Sequence, residues 1–272
     1  MTGYTLTFRR DVSTAFTNGS LLRPDTLGAL PADELARLPL PVGRMQVPLS
    51  ELMDISGAPG PDLTLRMESH PPLNHLGALM RQGQLHIEGD AGDDLGASMT
   101  GGVIRVTGNA GHRAGGPHPT SKRGMTGGQI IVEGDAGDYV GLLMRRGLIA
   151  VRGVSGASAG YRMLAGTIVI GQANRNAQPR DEAAAPRVID HPGLEMQRGT
   201  VLCLDPAAAL ATGPGFAAGG TIDAGAMPAL LVALKQVPWA DLKQLSRGRW
   251  NVHIGDALEQ NKGEVMQWQS GT

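Results

Sequence analysis

The chain has 272 residues with 24 basic and 25 acidic side chains, a formal net charge of −1, so its overall field carries no footprint of a nucleic-acid or membrane-surface protein. One cysteine, Cys203, excludes an internal disulfide and any multi-cysteine metal or iron–sulfur site within the chain. No apolar run reaches about 18 residues and the start MTGYTLTFRR has no apolar stretch behind it, so neither a membrane span nor a signal peptide is expected, and a cytoplasmic protein is.

Composition points to periodicity. Glycine supplies 40 residues, aromatics are 3%, and the glycines recur instead of clustering, which reports repeated backbone geometry and not a flexible linker. Twenty arginines against four lysines argue against the lysine-rich composition of hyperthermophile proteins, so a mesophilic source is expected.

In chain order, residues 6–8 alternate as a strand does, and residues 31–38 (PADELARL) have the acidic first turn and apolar spacing of a short helix. Residues 45–47 read as another strand, 49–55 as another short helix, and 63–67 as a degenerate first copy of a glycine repeat that is clear from Gly77 onward. This segment is expected to cap strand edges that would otherwise be bare.

The pattern G-x-x-G-x-x-x-G-x-x-M-x-x-G-x-Φ-x-Φ-x, with Φ apolar, recurs every 19 residues from about Gly77 to Cys203. The first, partial copy holds Met80, Gly83, Leu85 and Ile87, and the second Gly89, Gly92, Gly96, Met99, Gly102, Ile104 and Val106. The third begins Gly108, Gly111, Gly115 and carries seven extra residues before Met125, Gly128, Ile130 and Val132. The fourth (Met144, Ile149, Val151) and fifth (Met163, Ile168, Ile170) keep the 19-residue step, and the sixth returns as Met196, Gly199, Val201 and Cys203 after a polar detour at 172–192. Each Φ-x-Φ unit has a strand's period of two. The glycines supply turn conformations that a Cβ obstructs. Stacking copies about 4.8 Å apart places the six methionines in one internal ladder. Cys203 takes an inward position and is expected to be buried and inert.

These observations predict an all-β solenoid, a β-helix at 63–204 interrupted at 117–124 and 172–192, with a small α/β cap at 1–62 and a C-terminal helical extension at 205–272. The residue between the two Φ positions changes from His86 and Arg105 to Ile131, Ala150, Val169 and Leu202, so one outer face turns apolar and is a candidate interface. Residues 227–237, with Leu230, Leu231, Leu234 and Val237 at helical spacing, are one candidate cover and a partner protein is the other. The tail adds an alternating Trp250, Val252, Ile254 with Trp239 and Trp268 nearby.

Catalytic patterns are missing from the sequence. Asp90, Asp93, Asp94, Asp135 and Asp138 sit in glycine turns where Asp commonly bonds its own backbone, so they read as turn residues. The seven histidines show no zinc spacing, and no glycine turn ends in the Gly-Lys-Ser/Thr of a phosphate loop. Arg81, Arg145, Arg146 and Arg198 share the corner after the methionine, with Arg113, Lys122 and Arg123 near in sequence. As a set they are candidate contacts for a carboxylate-rich ligand or acidic partner, against the plainer reading of solvated turn cations.

The stretches GDAGDDLGASMTGGVIRVTGNAG and GDAGDYVGLLMRRGLIAVRG, the insertion P-x-x-x-x-x-x-G-M-T-G-G and the flank LPADELARLPLPVGRMQVPLSELMDISG resemble the C-type subunit of formylmethanofuran dehydrogenase. The glycine repeat alone is also similar to the C-terminal domain of glutamate synthase large subunits; the flank and insertion favour the dehydrogenase family. The resemblance implies a right-handed β-helix serving as a non-catalytic subunit of a hetero-oligomer. In its bacterial form this is a formyltransferase/hydrolase complex that converts formyl-tetrahydromethanopterin to formate through formylmethanofuran. The implied partners are hydrolase, formyltransferase and molybdopterin-subunit-like chains, in a higher-order dimer of heterotetramers. The complex would handle a methanofuran-type carrier with a glutamate-rich tail, any metals would lie on partner subunits, and this chain would bind no cofactor. Alternatives are the C-type subunit of a tungsten or molybdenum dehydrogenase in a methanogen, and a self-sufficient β-helix enzyme acting on an acidic polymer.

Overall fold

The alternation of Leu, Ile and Val in each copy yields one short strand per copy, and the strands pair side by side. In a computed structural model, residues 3–9, 18–67, 70–171, 188–257, 259 and 262–269 are described. The first flank contributes β1 (Gly3–Phe8), α1 (Pro24–Leu27), α2 (Ala32–Arg37), β2 (Pro39–Val42), β3 (Met45–Pro48), α3 (Leu49–Leu52) and β4 (Met53–Gly57). The repeats contribute β5 (Asp62–Arg66), β6 (Gln84–Glu88), β7 (Val103–Val106), β8 (Gln129–Val132), β9 (Leu148–Val151) and β10 (Thr167–Ile170). Then come β11 (Val188–Asp190), β12 (Arg198–Cys203), β13 (Ala209–Ala211), β14 (Ala217–Asp223), α4 (Pro228–Leu234), α5 (Leu242–Leu245), β15 (Arg249–Gly255) and β16 (Lys262–Gln269). No helix among the described residues is long and apolar enough to cross a membrane.

Twelve strands form one sheet in the order β14-β15-β16-β12-β10-β9-β8-β7-β6-β5-β1-β4. From β1 to β16 the pairing is parallel, and one row runs straight across it: Tyr4, Leu63, Leu85, Ile104, Ile130, Ile149, Ile168, Val201 and Val265. Both margins are antiparallel, β4 against β1 at one end and β16, β15 and β14 successively at the other. Two small pairs, β2 with β3 and β11 with β13, stand apart from this sheet.

This architecture corrects the all-β right-handed β-helix expected from the repeat. Twelve of the strands belong to one mixed parallel and antiparallel sheet with short helices at its flanks, an α/β arrangement, and no solenoid closure is present among the described residues. The return path of each copy explains the difference. Among the described residues it carries isolated bridges, Ala91 with Ala110, Ala110 with Ala136 and Ala136 with Ser155, and then only the short pair of β11 with β13. Residues such as Asp94, Ser98, Arg113, Tyr139 and Leu143 take positive φ there, which breaks extended backbone after a residue or two.

Two smaller expectations change as well. The helix expected over 49–55 stops at Leu52, because Met53 and Ile55 pair with Phe8 and Leu6 and are drawn into β4. The C-terminal extension, expected to be helical, holds more strand than helix, with α4 and α5 between β14 and β15.

The inward side of the sheet and the turns share one core. Met80, Met99, Met125, Met144, Met163 and Met196 have no exposed surface, and each closes its turn by donating its backbone N–H to a glycine three or, once, ten residues earlier, at 2.8–3.2 Å. Gly147 shows why the corner needs glycine: its φ is +105°, and a Cβ there would lie 2.6 Å from the Gly128 oxygen and 2.7 Å from Met125 Cε. A second core lies on the outward side, where Ala150, Val169 and Leu202 meet Leu230, Leu234, Val237, Trp250 and Trp268.

Truncating the ladder tests its weight. Met144→Ala leaves a cavity in a fully buried row and is expected to lower stability by about 2–5 kcal/mol in urea unfolding, whereas the exposed Met45→Ala should shift it by less than about 0.5 kcal/mol.

Candidate functional site

Backbone hydrogen bonds fix the corner after each methionine. Thr100, Thr126, Arg145, Leu164 and Gln197 donate their N–H groups to the carbonyls of Met80, Met99, Met125, Met144 and Met163, at 2.8–2.9 Å. Arg81 and Arg145 therefore occupy one row but lie three steps, about 14 Å, apart, with Thr100 and Thr126 between them. Arg146 and Arg198 are two steps apart in the next row. Arg81, Arg146 and Arg198 are exposed, while Arg145 is half-buried and its Nε is shielded from solvent without a hydrogen-bond partner. Among the described residues, none of Arg81, Lys122, Arg123, Arg145, Arg146 and Arg198 has a carboxylate within ion-pair distance.

Arg113 is different. Its Nε and Nη2 each lie 2.8 Å from a carboxylate oxygen of the buried Asp94, and Nη2 lies 3.3 Å from Asp93. These bonds hold the guanidinium pKa above its ordinary value, chiefly through the Asp94 hydrogen bond. The fork is committed within the chain, so the structure does not place Arg113 with the unpaired cations.

The insertion leaves the turn intact. Met125 N–H still reaches the Gly115 carbonyl at 2.8 Å, as Met99 reaches Gly96 at 3.1 Å without extra residues. Both ends of the loop are tied to the buried hydroxyl of Ser98, which accepts from His118 N–H at 2.9 Å and donates to the Arg123 carbonyl at 2.6 Å. The His118 ring lies 5.9 Å from the His75 ring, edge to face, and its Nδ1 is 2.7 Å from Thr120 Oγ1. His75 Nδ1 in turn faces Asp94 at 3.8 Å. Burial lowers the His118 pKa below its ordinary 6.5, and the nearness of His75 and Arg23 adds to that against an opposing pull from Asp94. Sequence reasoning missed this His75, Asp94, Arg113, His118 constellation, since its members are up to 43 positions apart and converge only by stacking.

The turn aspartates are occupied, though not by their own turns. Asp90, Asp93, Asp135 and Asp138 each accept a backbone N–H from the next copy, at Asn109, His112, Val154 and Ala157, across 19 residues and 2.7–2.9 Å. They stitch copies together, one carboxylate oxygen of each aspartate accepting from the adjacent copy. A neighbouring group is similarly closed: Arg162 Nε and Tyr161 Oη both donate to Glu195, and the Arg162 bond holds the Glu195 carboxyl below the usual range. No cluster of three metal-binding side chains forms among the described residues. Cys203 is fully buried, and burial pushes its thiol up to about 12, so it is no nucleophile in the folded chain.

Ile131, Ala150, Val169 and Leu202 have no exposed surface. The last three are packed beneath the C-terminal layer, so the apolar stripe is covered within the chain. A groove of about 430 Å³ lies at the margin of that layer, between Val103, Gln129, Leu148 and Thr167 of the sheet and Ala233 of α4 with Gln236 just after it. It is crossed by a 2.6 Å bond from Gln129 to Gln236. A smaller hollow of about 190 Å³ is lined by Ser155, Ile170, Ile189 and Asp205.

A scan of protein-family models gives no match, and neither does a search of curated proteins. Among solved structures, the chain is similar to one from the X-ray crystal structure of the formyltransferase/hydrolase complex of Methylorubrum extorquens in complex with methylofuran. The two share 30% identity over 97% of this chain and 98% of that one, with a TM-score of 0.74. The chain belongs to the family of this formyltransferase/hydrolase component. Coverage of nearly the whole of both chains places the cap, the insertion and the C-terminal layer inside the family likeness, and not the repeats alone.

His118 gives a pH signature. A histidine whose folded pKa is lowered holds fewer protons than the unfolded chain below pH 6.5, so stability falls as pH drops from that value through the folded pKa. Denaturant titrations between about pH 5 and 7 are expected to show this slope, and His118→Gln should flatten it.

Proposed function

We propose that the chain is a non-catalytic structural subunit, of the C type, in a formyltransferase/hydrolase complex that converts formyl-tetrahydromethanopterin to formate through a formylmethanofuran-type carrier. The observation that carries this reading is the near-complete match to a chain of such a complex. The local chemistry agrees with it. The turn aspartates, Glu195 and Cys203 are each held by the fold, leaving scaffolding as the role their geometry supports. In this reading three other kinds of subunit, hydrolase, formyltransferase and molybdopterin-subunit-like, assemble with the chain in the cytoplasm, and any metals sit on them.

The carrier gives the cationic corner a purpose. A glutamate-rich tail presents carboxylates, and Arg81, Arg145, Arg146 and Arg198, at the corner itself, have no carboxylate at ion-pair distance among the described residues. Arg113, neutralised by Asp94, takes no part.

Isolation of the tagged chain from its native host is expected to bring three companion subunits in fixed ratio; a stable solitary monomer would contradict the assignment. In the assembled complex, changing Arg145 and Arg146 together to Ala should weaken use of a long-tailed carrier and spare a tail-less analogue. Equal effects on both would remove the corner from carrier binding.

A further inference from the structure

The seven-residue insertion does no work in closing its turn. Sister turns pass from glycine to methionine in three residues, as in Gly96 to Met99, Gly141 to Met144 and Gly160 to Met163, and make the same N–H to carbonyl bond that Gly115 and Met125 make across the loop. What the insertion adds is an ordered projection. The buried Ser98 hydroxyl grips both of its ends, Ser121 Oγ bonds the Arg123 carbonyl and accepts from Arg123 N–H, each at 3.2 Å, and His118 packs back over His75.

Lys122 and Arg123 stand exposed on this projection. Gly124 N–H bonds the Leu143 carbonyl and Arg145 N–H bonds the Met125 carbonyl, which sets the two loop cations beside Arg145 and Arg146 on the next copy. Four cations thus gather on a chain whose net charge is −1, and none has a carboxylate at ion-pair distance among the described residues. Neither the groove beside α4 nor the hollow at Ser155 is lined by the loop. A small molecule is held in concave surface, whereas an exposed, positively charged projection tied at both ends suits a protein face, where little ordering entropy is lost on docking.

We infer that the insertion is a preformed docking element for an acidic surface of another protein subunit, with Lys122 and Arg123 as its contact charges and Ser98 as the residue that positions them. The inference rests on the chain working inside a hetero-oligomer, and it names the part that holds a neighbour. Salt is expected to weaken this contact, since the charges are solvent-facing before docking.

The test uses the whole complex isolated through a tag on this chain. Reversing the loop charges, Lys122→Glu with Arg123→Glu, is expected to weaken retention of one companion by about tenfold or to release it at lower salt than wild type. Arg44→Glu, an exposed reversal at the tip between β2 and β3, should leave retention unchanged. Ser98→Ala, which unties the loop and keeps its charges, should give an intermediate loss. Zero-length carbodiimide coupling provides a second reading, because Lys122 is one of only four lysines and should join to a partner carboxylate. Unchanged retention and salt tolerance in the folded double reversal, with no Lys122 cross-link, overturns the inference. So does intact assembly with loss of carrier binding alone, which would give the loop to the carrier's acidic tail. If wild type itself carries no companion, the proposed membership of a complex fails before the loop is tested.

Discussion

The 19-residue register is the constraint on which the rest depends. Every parallel pair in the centre of the sheet sets equivalent residues side by side, from Leu63 through Ile168 to Val265, and the turn bond from methionine to glycine recurs in all six copies. A slip of one residue in β6 or β7 would turn the apolar side chains outward and His86 or Arg105 inward. The glycines hold this register because the corner conformation and the close approach of the adjacent copy both exclude a Cβ. The turn aspartates reinforce it, each carboxylate spanning to the backbone of the next copy.

Equivalence between copies makes departures from it informative. The outward residue of the strand changes from His86 and Arg105 to Ile131, Ala150, Val169 and Leu202, and the C-terminal layer begins to cover the sheet along the same strands. The insertion before Met125 departs in the opposite way, adding polar, charged surface to a turn that closes without it. One departure supplies stability inside the chain and the other supplies surface outside it. Membership of the formyltransferase/hydrolase family gives that surface a setting in which a neighbour is present.

Several charged side chains of this chain hold copies in position. Arg113 neutralises Asp94, Arg162 neutralises Glu195, and a buried thiol at Cys203 is too basic to ionise near neutral pH. Such pairs were invisible as pairs in the sequence, because the partners are 19 to 33 positions apart and meet only when copies stack. The candidate cations were legible as residue types. Which of them remain unpaired was decided by contacts between copies, and Arg113 left the set on that ground.

Period and glycine spacing alone determined where the repeat strands lie, which side chains point inward, the six-methionine row and the burial of Cys203, since these arise from backbone geometry within each copy. Tertiary structure decided the rest. The expected β-helix gave way to one mixed sheet, because positive-φ residues break the return path into single bridges and strands from both flanks extend the ladder. Residues 53–55 became strand, not helix, by pairing with β1. The apolar stripe found its cover in the chain's own C-terminal layer. Each of these depends on pairing between distant segments, where burial and hydrogen bonding across the fold outweigh the local pattern that a sequence displays.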